Sequence, residues 1–124
     1  MTLDPGEGII LFNPTQTPFT IRFVGAVPQA FLKMPILQGW CIRSSLLPQS
    51  GMIATALMFP LVNTYIEEFY LMTGAAPGYS VYSNPGTAWV VPPGEPTMSV
   101  GEAFWSRSSY TGPHDWTRTF WIWP

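Results

Sequence analysis

Trp40-Cys41-Ile42-Arg43-Ser44 lies between Gly39 and Pro48 and alternates, with Trp40 and Ile42 on one side and Cys41 and Arg43 on the other. A period of two places successive side chains on opposite faces, which is the pattern of a strand with one face buried. The same period recurs along the chain. In residues 18–24, Phe19, Ile21 and Phe23 alternate with Thr20 and Arg22. In residues 79–82, Tyr79 and Val81 oppose Ser80 and Tyr82. In residues 117–123, Thr117, Thr119, Trp121 and Trp123 oppose Arg118, Phe120 and Ile122. Further short apolar runs occupy residues 8–12, 87–91 and 101–107.

Between these runs stand 14 Pro and 11 Gly. Short β-rich runs separated by frequent turn residues predict an all-β, sandwich-like fold of antiparallel sheets with long Pro/Gly-rich loops. Residues 52–72 are the one ambiguous stretch. Pro60 interrupts any continuous helix, so the reading is a short helical turn before Pro60 and a strand over residues 68–73. At most one short helix is expected.

The chain of 124 residues is short for two domains, and residues 1–124 read as one. Apolar residues make up 47% and charged residues only 10%, which excludes a disordered chain. The net charge is −2, and Arg22, Lys33, Arg43, Arg107 and Arg118 are dispersed, so nothing resembles a phosphate-binding stripe. Nucleic acid is therefore not an expected partner. No apolar run is long enough for a transmembrane helix. Residues 1–7 lack the basic and apolar regions of an intact signal peptide. Cys41 is the single cysteine, so no disulfide can form within the chain, and between Trp40 and Ile42 it reads as an apolar filler. So little charge leaves apolar surface outside the core, and such surface commonly marks an interface.

The two ends share a pattern. Gly6-Glu7-Gly8-Ile9-Ile10 and Gly101-Glu102-Ala103-Phe104-Trp105 both read Gly-Glu-small-apolar-apolar. A Thr-x-x-Phe segment follows each, at Thr20–Phe23 and Thr117–Phe120. The expected organisation is a half-repeat hairpin over residues 1–25 and a full unit over residues 39–124. Glu7 and Glu102 become positional equivalents, and each reads as a structural clamp that accepts hydrogen bonds from a nearby loop.

These segments also carry a resemblance. Leu3 to Ile9, Phe23-Val24-Gly25-Ala26-Val27-Pro28-Gln29, Gly39 to Gly51, Val100 to Trp105 and Trp116 to Phe120 resemble the C-terminal part of a group of uncharacterised, secreted bacterial β-repeat proteins. The resemblance covers most of the chain and departs from the pattern at residues 52–72. It implies secretion, β repeats and a processed or partial chain. It implies no chemistry.

Few residues suggest catalysis. His114 is the only histidine, and a triad of Ser108 or Ser109 with His114 and Asp115 would need sequence neighbours to orient one another. Ca²⁺ at Glu67-Glu68 or Asp115 lacks a recognisable ligand spacing. Glu7 and Glu102 as a facing glycosidase pair rest on symmetry alone. No catalytic, cofactor-binding or metal site is expected.

The expected role is a structural subunit outside the cell or at its surface, built from copies of itself by strand or hairpin exchange into a filament or surface assembly. Ile10, Phe12, Phe19, Ile21, Phe23, Trp105, Trp121 and Trp123 are its expected interface. The alternative is a carbohydrate-binding module whose exposed Trp and Tyr stack on glycans, with Trp89 and Trp105 as the residues to replace.

Overall fold

The computed structural model describes residues 2–15, 17–22, 24–74, 78–91 and 93–122, and the structural statements below concern those residues. Eight strands follow in order: β1 (Ala30–Ile36), β2 (Gly39–Ser44), β3 (Gly51–Met52), β4 (Glu67–Met72), β5 (Tyr79–Asn84), β6 (Thr97–Met98), β7 (Ala103–Ser108) and β8 (His114–Phe120). All pairings are antiparallel, and no described residue is helical. The chain is all-β and sandwich-like.

The pairing is nested. β1 pairs with β8, β2 with β7, β3 with β6 and β4 with β5. A further β4–β7 ladder closes a four-stranded sheet in the order β2-β7-β4-β5. Eight antiparallel strands wound in this nested order form a jelly roll, whose two facing layers each take strands from both halves of the chain. The opposite layer consists of the β1-β8 and β3-β6 pairs, which no ladder joins. Arg118 of β8 nevertheless reaches the segments flanking β3, donating to the Ala56 carbonyl at 2.9 Å and the Gln49 side chain at 2.7 Å.

Alternation decides which side chains enter the core. Leu32, Met34 and Ile36 of β1 and Trp116 of β8 meet Phe69 and Leu71 of β4 and Phe104 of β7. Leu46, Leu47, Ile53, Leu57, Phe59 and Met98 fill the ends of the layer. Trp116 has no exposed surface, stands edge-on to Phe59 at 5.2 Å and donates its indole N–H to the Leu57 carbonyl at 2.8 Å.

Several sequence expectations change. β1 was not anticipated, because Lys33 and Pro35 obscure the Ala30, Leu32, Met34, Ile36 alternation. Residues 8–12 and the described part of 18–24 form no strands and no hairpin, because they find no partner strand within the chain. Residues 87–91 are irregular. Trp89 there packs on Phe69 with ring centroids 5.5 Å apart, and Val90 N–H donates to the Ser83 carbonyl. The last strand begins earlier than expected, at His114, and ends at Phe120. The segment before Pro60 forms turns rather than a helix, with Ala56 and Leu57 N–H both donating to the Met52 carbonyl. The strand expected over residues 68–73 is β4.

Candidate interaction surface

The chain enters the sandwich through one tight turn. In Asp4-Pro5-Gly6-Glu7 the Glu7 N–H donates to the Asp4 carbonyl, and Gly6 carries a φ of +89°. A positive φ at the third residue is the requirement of a type II turn, with Pro favoured just before it. The Glu7 carboxylate turns back to accept the Asp4 N–H at 2.9 Å. Ser99-Val100-Gly101-Glu102 repeats this geometry: Glu102 N–H donates to the Ser99 carbonyl, Gly101 has φ +76°, and the Glu102 carboxylate accepts the Ser99 N–H at 2.7 Å. Glu7 and Glu102 thus hold equivalent local turns. They do not face each other as a catalytic pair would, because each is bonded within its own turn.

The first turn lies against β2. Ser44 N–H donates to the Gly6 carbonyl at 2.9 Å, its hydroxyl to the Glu7 carbonyl at 2.8 Å, and Glu7 forms an antiparallel bridge with Arg43. Gly8 follows in such close contact that a Cβ there would stand 3.0 Å from Arg43 backbone atoms. The pairing then stops. β2 is the edge of its sheet, and beyond this stub no described strand covers Gly39–Cys41.

The described residues of 8–29 form an arm outside the sandwich. Seven of its large apolar side chains are exposed, Ile10, Leu11, Phe12, Phe19, Ile21, Val24 and Val27, with Phe12 at 83% and Val24 at 88%. Of the other interface candidates, Trp105 lies half-buried on β7 and Trp121 is exposed just past β8. Phe23 and Trp123 lie outside the described residues. The arm's end is tied down where Gln29 accepts the Ile122 N–H at 3.1 Å.

The face of the four-stranded sheet away from the core carries an apolar surface. The β2–β7 and β7–β4 registers align Trp40, Arg107 and Glu68 in one row and Ile42, Trp105 and Tyr70 in the next. Arg107 pairs with Glu68 at 3.0 Å and sits 5.8 Å over the Trp40 ring. Trp40 and Tyr70 contact each other at 4.9 Å, tilted by 52°. Trp40, Tyr70, Tyr79 and Trp105 line a shallow cavity of about 460 Å³. A larger groove of about 1030 Å³ runs between this face and the arm, with Ile9, Ile10 and Val24 on one wall and Ile42, Met72 and Trp105 on the other. Trp40, Trp105 and the tyrosines are all among the aromatics that the sequence offers for stacking on glycans, but nothing in the sequence sets Trp40, Tyr70 and Tyr79 beside Trp105. The alternation of Trp40 with Cys41 was visible, but which side became the outer face depended on what covered the other.

The opposite side of the same strands holds a buried polar cluster. Arg43 donates to the Ser106 hydroxyl at 3.2 Å and to the Pro35 carbonyl at 3.0 Å, bridging β2 to β1. Glu67, only 1% exposed, accepts the Ser108 hydroxyl at 2.7 Å, and its second oxygen has no partner. Burial raises the Glu67 carboxyl from 4.5 to about 7, against the pull of the Ser108 hydrogen bond and the Arg43 charge. Burial also lowers the His114 imidazole.

The residues considered for a triad are engaged elsewhere. Ser108 serves Glu67, the Ser109 hydroxyl accepts the Ile66 N–H, and Asp115 pairs with Lys33 at 3.0 Å. Glu68 serves Arg107, so the acidic residues considered for Ca²⁺ are separated by their partners. Glu95, not singled out from sequence, ties down residues 54–55: its carboxylate accepts the Ala54 and Thr55 N–H groups at 2.6 and 2.8 Å. The signal was present, since Pro93-Gly94-Glu95 repeats Pro5-Gly6-Glu7.

Compared with protein-family models, with curated proteins and with solved structures, the chain finds no match.

Proposed function

We propose that this chain is a structural subunit that assembles with copies of itself through its arm. The arm carries the argument: residues 8–29 present exposed apolar side chains beside a sandwich whose core is complete without them. Contiguous apolar surface of this kind marks an interaction site. An arm that docks on a different patch of the next copy makes a head-to-tail contact, and repetition closes a ring or shell or extends a filament. Jelly rolls build viral shells and also form lectins. Assembly outside the cell rests on the sequence resemblance alone.

The test is sedimentation with negative-stain microscopy across a concentration series. The expected result is polymers that grow with concentration, and their loss in the triple variant Phe12→Ser, Phe19→Ser, Ile21→Ser. These side chains are exposed, so the fold is retained. A wild-type chain that stays monomeric at high concentration contradicts the proposal.

The aromatic cavity supports a second reading as a glycan-binding face, with Glu68 and Arg107 as polar contacts beside the Trp40 and Trp105 rings. The tilt between Trp40 and Tyr70 departs from a flat platform, which weakens this reading. Trp89 packs on Phe69 and does not line the cavity. On this reading, glycan-array binding is lost on Trp105→Ala or Trp40→Ala. An empty array for the wild-type chain excludes it.

A further inference from the structure

The geometry points to the free edge of β2 as the receptor for the arm of a second copy, with its Thr20–Arg22 segment added antiparallel to Gly39–Cys41. This rests on the assembly reading above and names the surface that reading leaves open.

The first reason is the backbone. Ser44 N–H points away from β7, toward Gly6. In an antiparallel ladder the direction of the backbone groups alternates, so the N–H and C=O of Trp40 point outward as well. No described strand lies on that side of β2 beyond the Glu7–Arg43 bridge. An added strand gives these groups the partners a sheet edge lacks.

The second reason is the absence of protection. Exposed edges are normally blunted by Lys, Pro or covering loops. β1 carries Lys33 and Pro35. On β5, the Ser83 carbonyl is taken by Val90 N–H. Gly39, Trp40 and Cys41 have neither charge nor Pro, and the apolar cavity opens beside Trp40.

The third reason is the fit of the segment. Phe19-Thr20-Ile21-Arg22 alternates apolar and polar, has high β-propensity and begins just after Pro18, where a strand tolerates proline. The stub at Glu7 already joins β2 antiparallel, which sets the direction. Ile21 opposite Trp40 exchanges both backbone hydrogen bonds with it and lies on the outer face. Phe19, leaving the ladder where Gly8 occupies Ile42, reaches the same face. Thr20 then stands opposite Cys41 on the other face, at a site where the two backbones do not bond each other. Side chains approach most closely at such sites, within the reach of a disulfide.

Cys41 is the only cysteine, half-buried and free, so it reports the register directly. Mild oxidation of assembled Thr20→Cys protein is expected to yield a ladder of disulfide-linked dimers and longer chains on a non-reducing gel. The ladder is lost when Cys41→Ser is added, and Phe19→Cys, facing the other way, stays at background. In the unmodified protein, amide exchange at Trp40 slows on assembly. A disulfide confined to one chain overturns the proposal in favour of a hairpin within the subunit. Polymers without the cross-link, and with unchanged exchange at Trp40, place the arm elsewhere and leave the assembly reading standing. No polymers under any condition remove both.

Discussion

Trp116→Ala is expected to cost about 3–5 kcal/mol of folding stability, the range for truncating a fully buried aromatic residue. Trp116 has no exposed surface and touches the ring of Phe59, from the segment between β3 and β4, at 5.2 Å and that of Phe104, from β7 of the opposite layer, at 6.5 Å. Its removal leaves a cavity at the centre of the sandwich, where packing has few means of collapse. It also deprives the Leu57 carbonyl of its donor, and an unpaired buried acceptor costs about 1–3 kcal/mol. Trp116→Phe separates the two effects by retaining most of the ring while losing the N–H. Urea unfolding at one protein concentration should rank wild type above Trp116→Phe above Trp116→Ala. Trp121→Ala, at an exposed position, should stay near wild type. Equal midpoints for Trp116→Ala and Trp121→Ala would refute this account of the core.

The second large effect is pH dependence arising from Glu67. Its carboxyl is raised from 4.5 to about 7 in the folded chain, chiefly by burial. Between these values the folded state holds a proton that the unfolded state has released, so stability falls as pH rises. The contribution is fully present below pH 4.5 and is lost as pH passes 7. At about 1.4 kcal/mol per pH unit, the loss is about 3 kcal/mol. His114 acts in the opposite sense. Its lowered value means that stability falls as pH drops below 6.5, where the unfolded imidazole takes up a proton first. Glu67→Gln isolates the first contribution, since the amide keeps an acceptor for Ser108 and carries no charge. Between pH 4.5 and 8 the variant should gain about 3 kcal/mol on wild type. Parallel stability curves over that window would show that Glu67 is not held neutral.

Much of the fold was legible because a half-buried strand writes its period into the chain. Trp40–Arg43 and Tyr79–Tyr82 show that alternation, and each lies on a strand of the structure; the run over residues 101–107 falls largely on β7. The same signal misled over the described part of residues 18–24, and the continuous apolar run misled at residues 8–12. Such patterns record the capacity to cover one face, and beyond Gly8 the described residues of these stretches find no partner strand within the chain. β1 failed for the reverse reason: Lys33 and Pro35 stand on its exposed side, so the strand looks broken to a reader of composition alone.

The candidate site divides similarly. The repeated Gly-Glu pattern sets Glu7 and Glu102 in the same place in two turns, because a type II turn needs glycine at one fixed position, and each carboxylate accepts the N–H three residues before it within its own turn rather than from a separate loop. The shortage of charge pointed to apolar surface outside the core, and the terminal arm carries much of it. What sequence could not state is the order of strands in space. That order sets Trp40 beside Arg107 and Glu68, and Trp105 beside Tyr70, across strands distant in the chain. It also leaves β2 at an edge and brings Arg43 near Glu67 inside the sandwich. Local period, turn chemistry and composition are properties of neighbouring residues and are written in the chain. Edges, outer faces and buried charge depend on which strand lies next to which, and only the closure of the two sheets around Trp116 and Phe69 decides that.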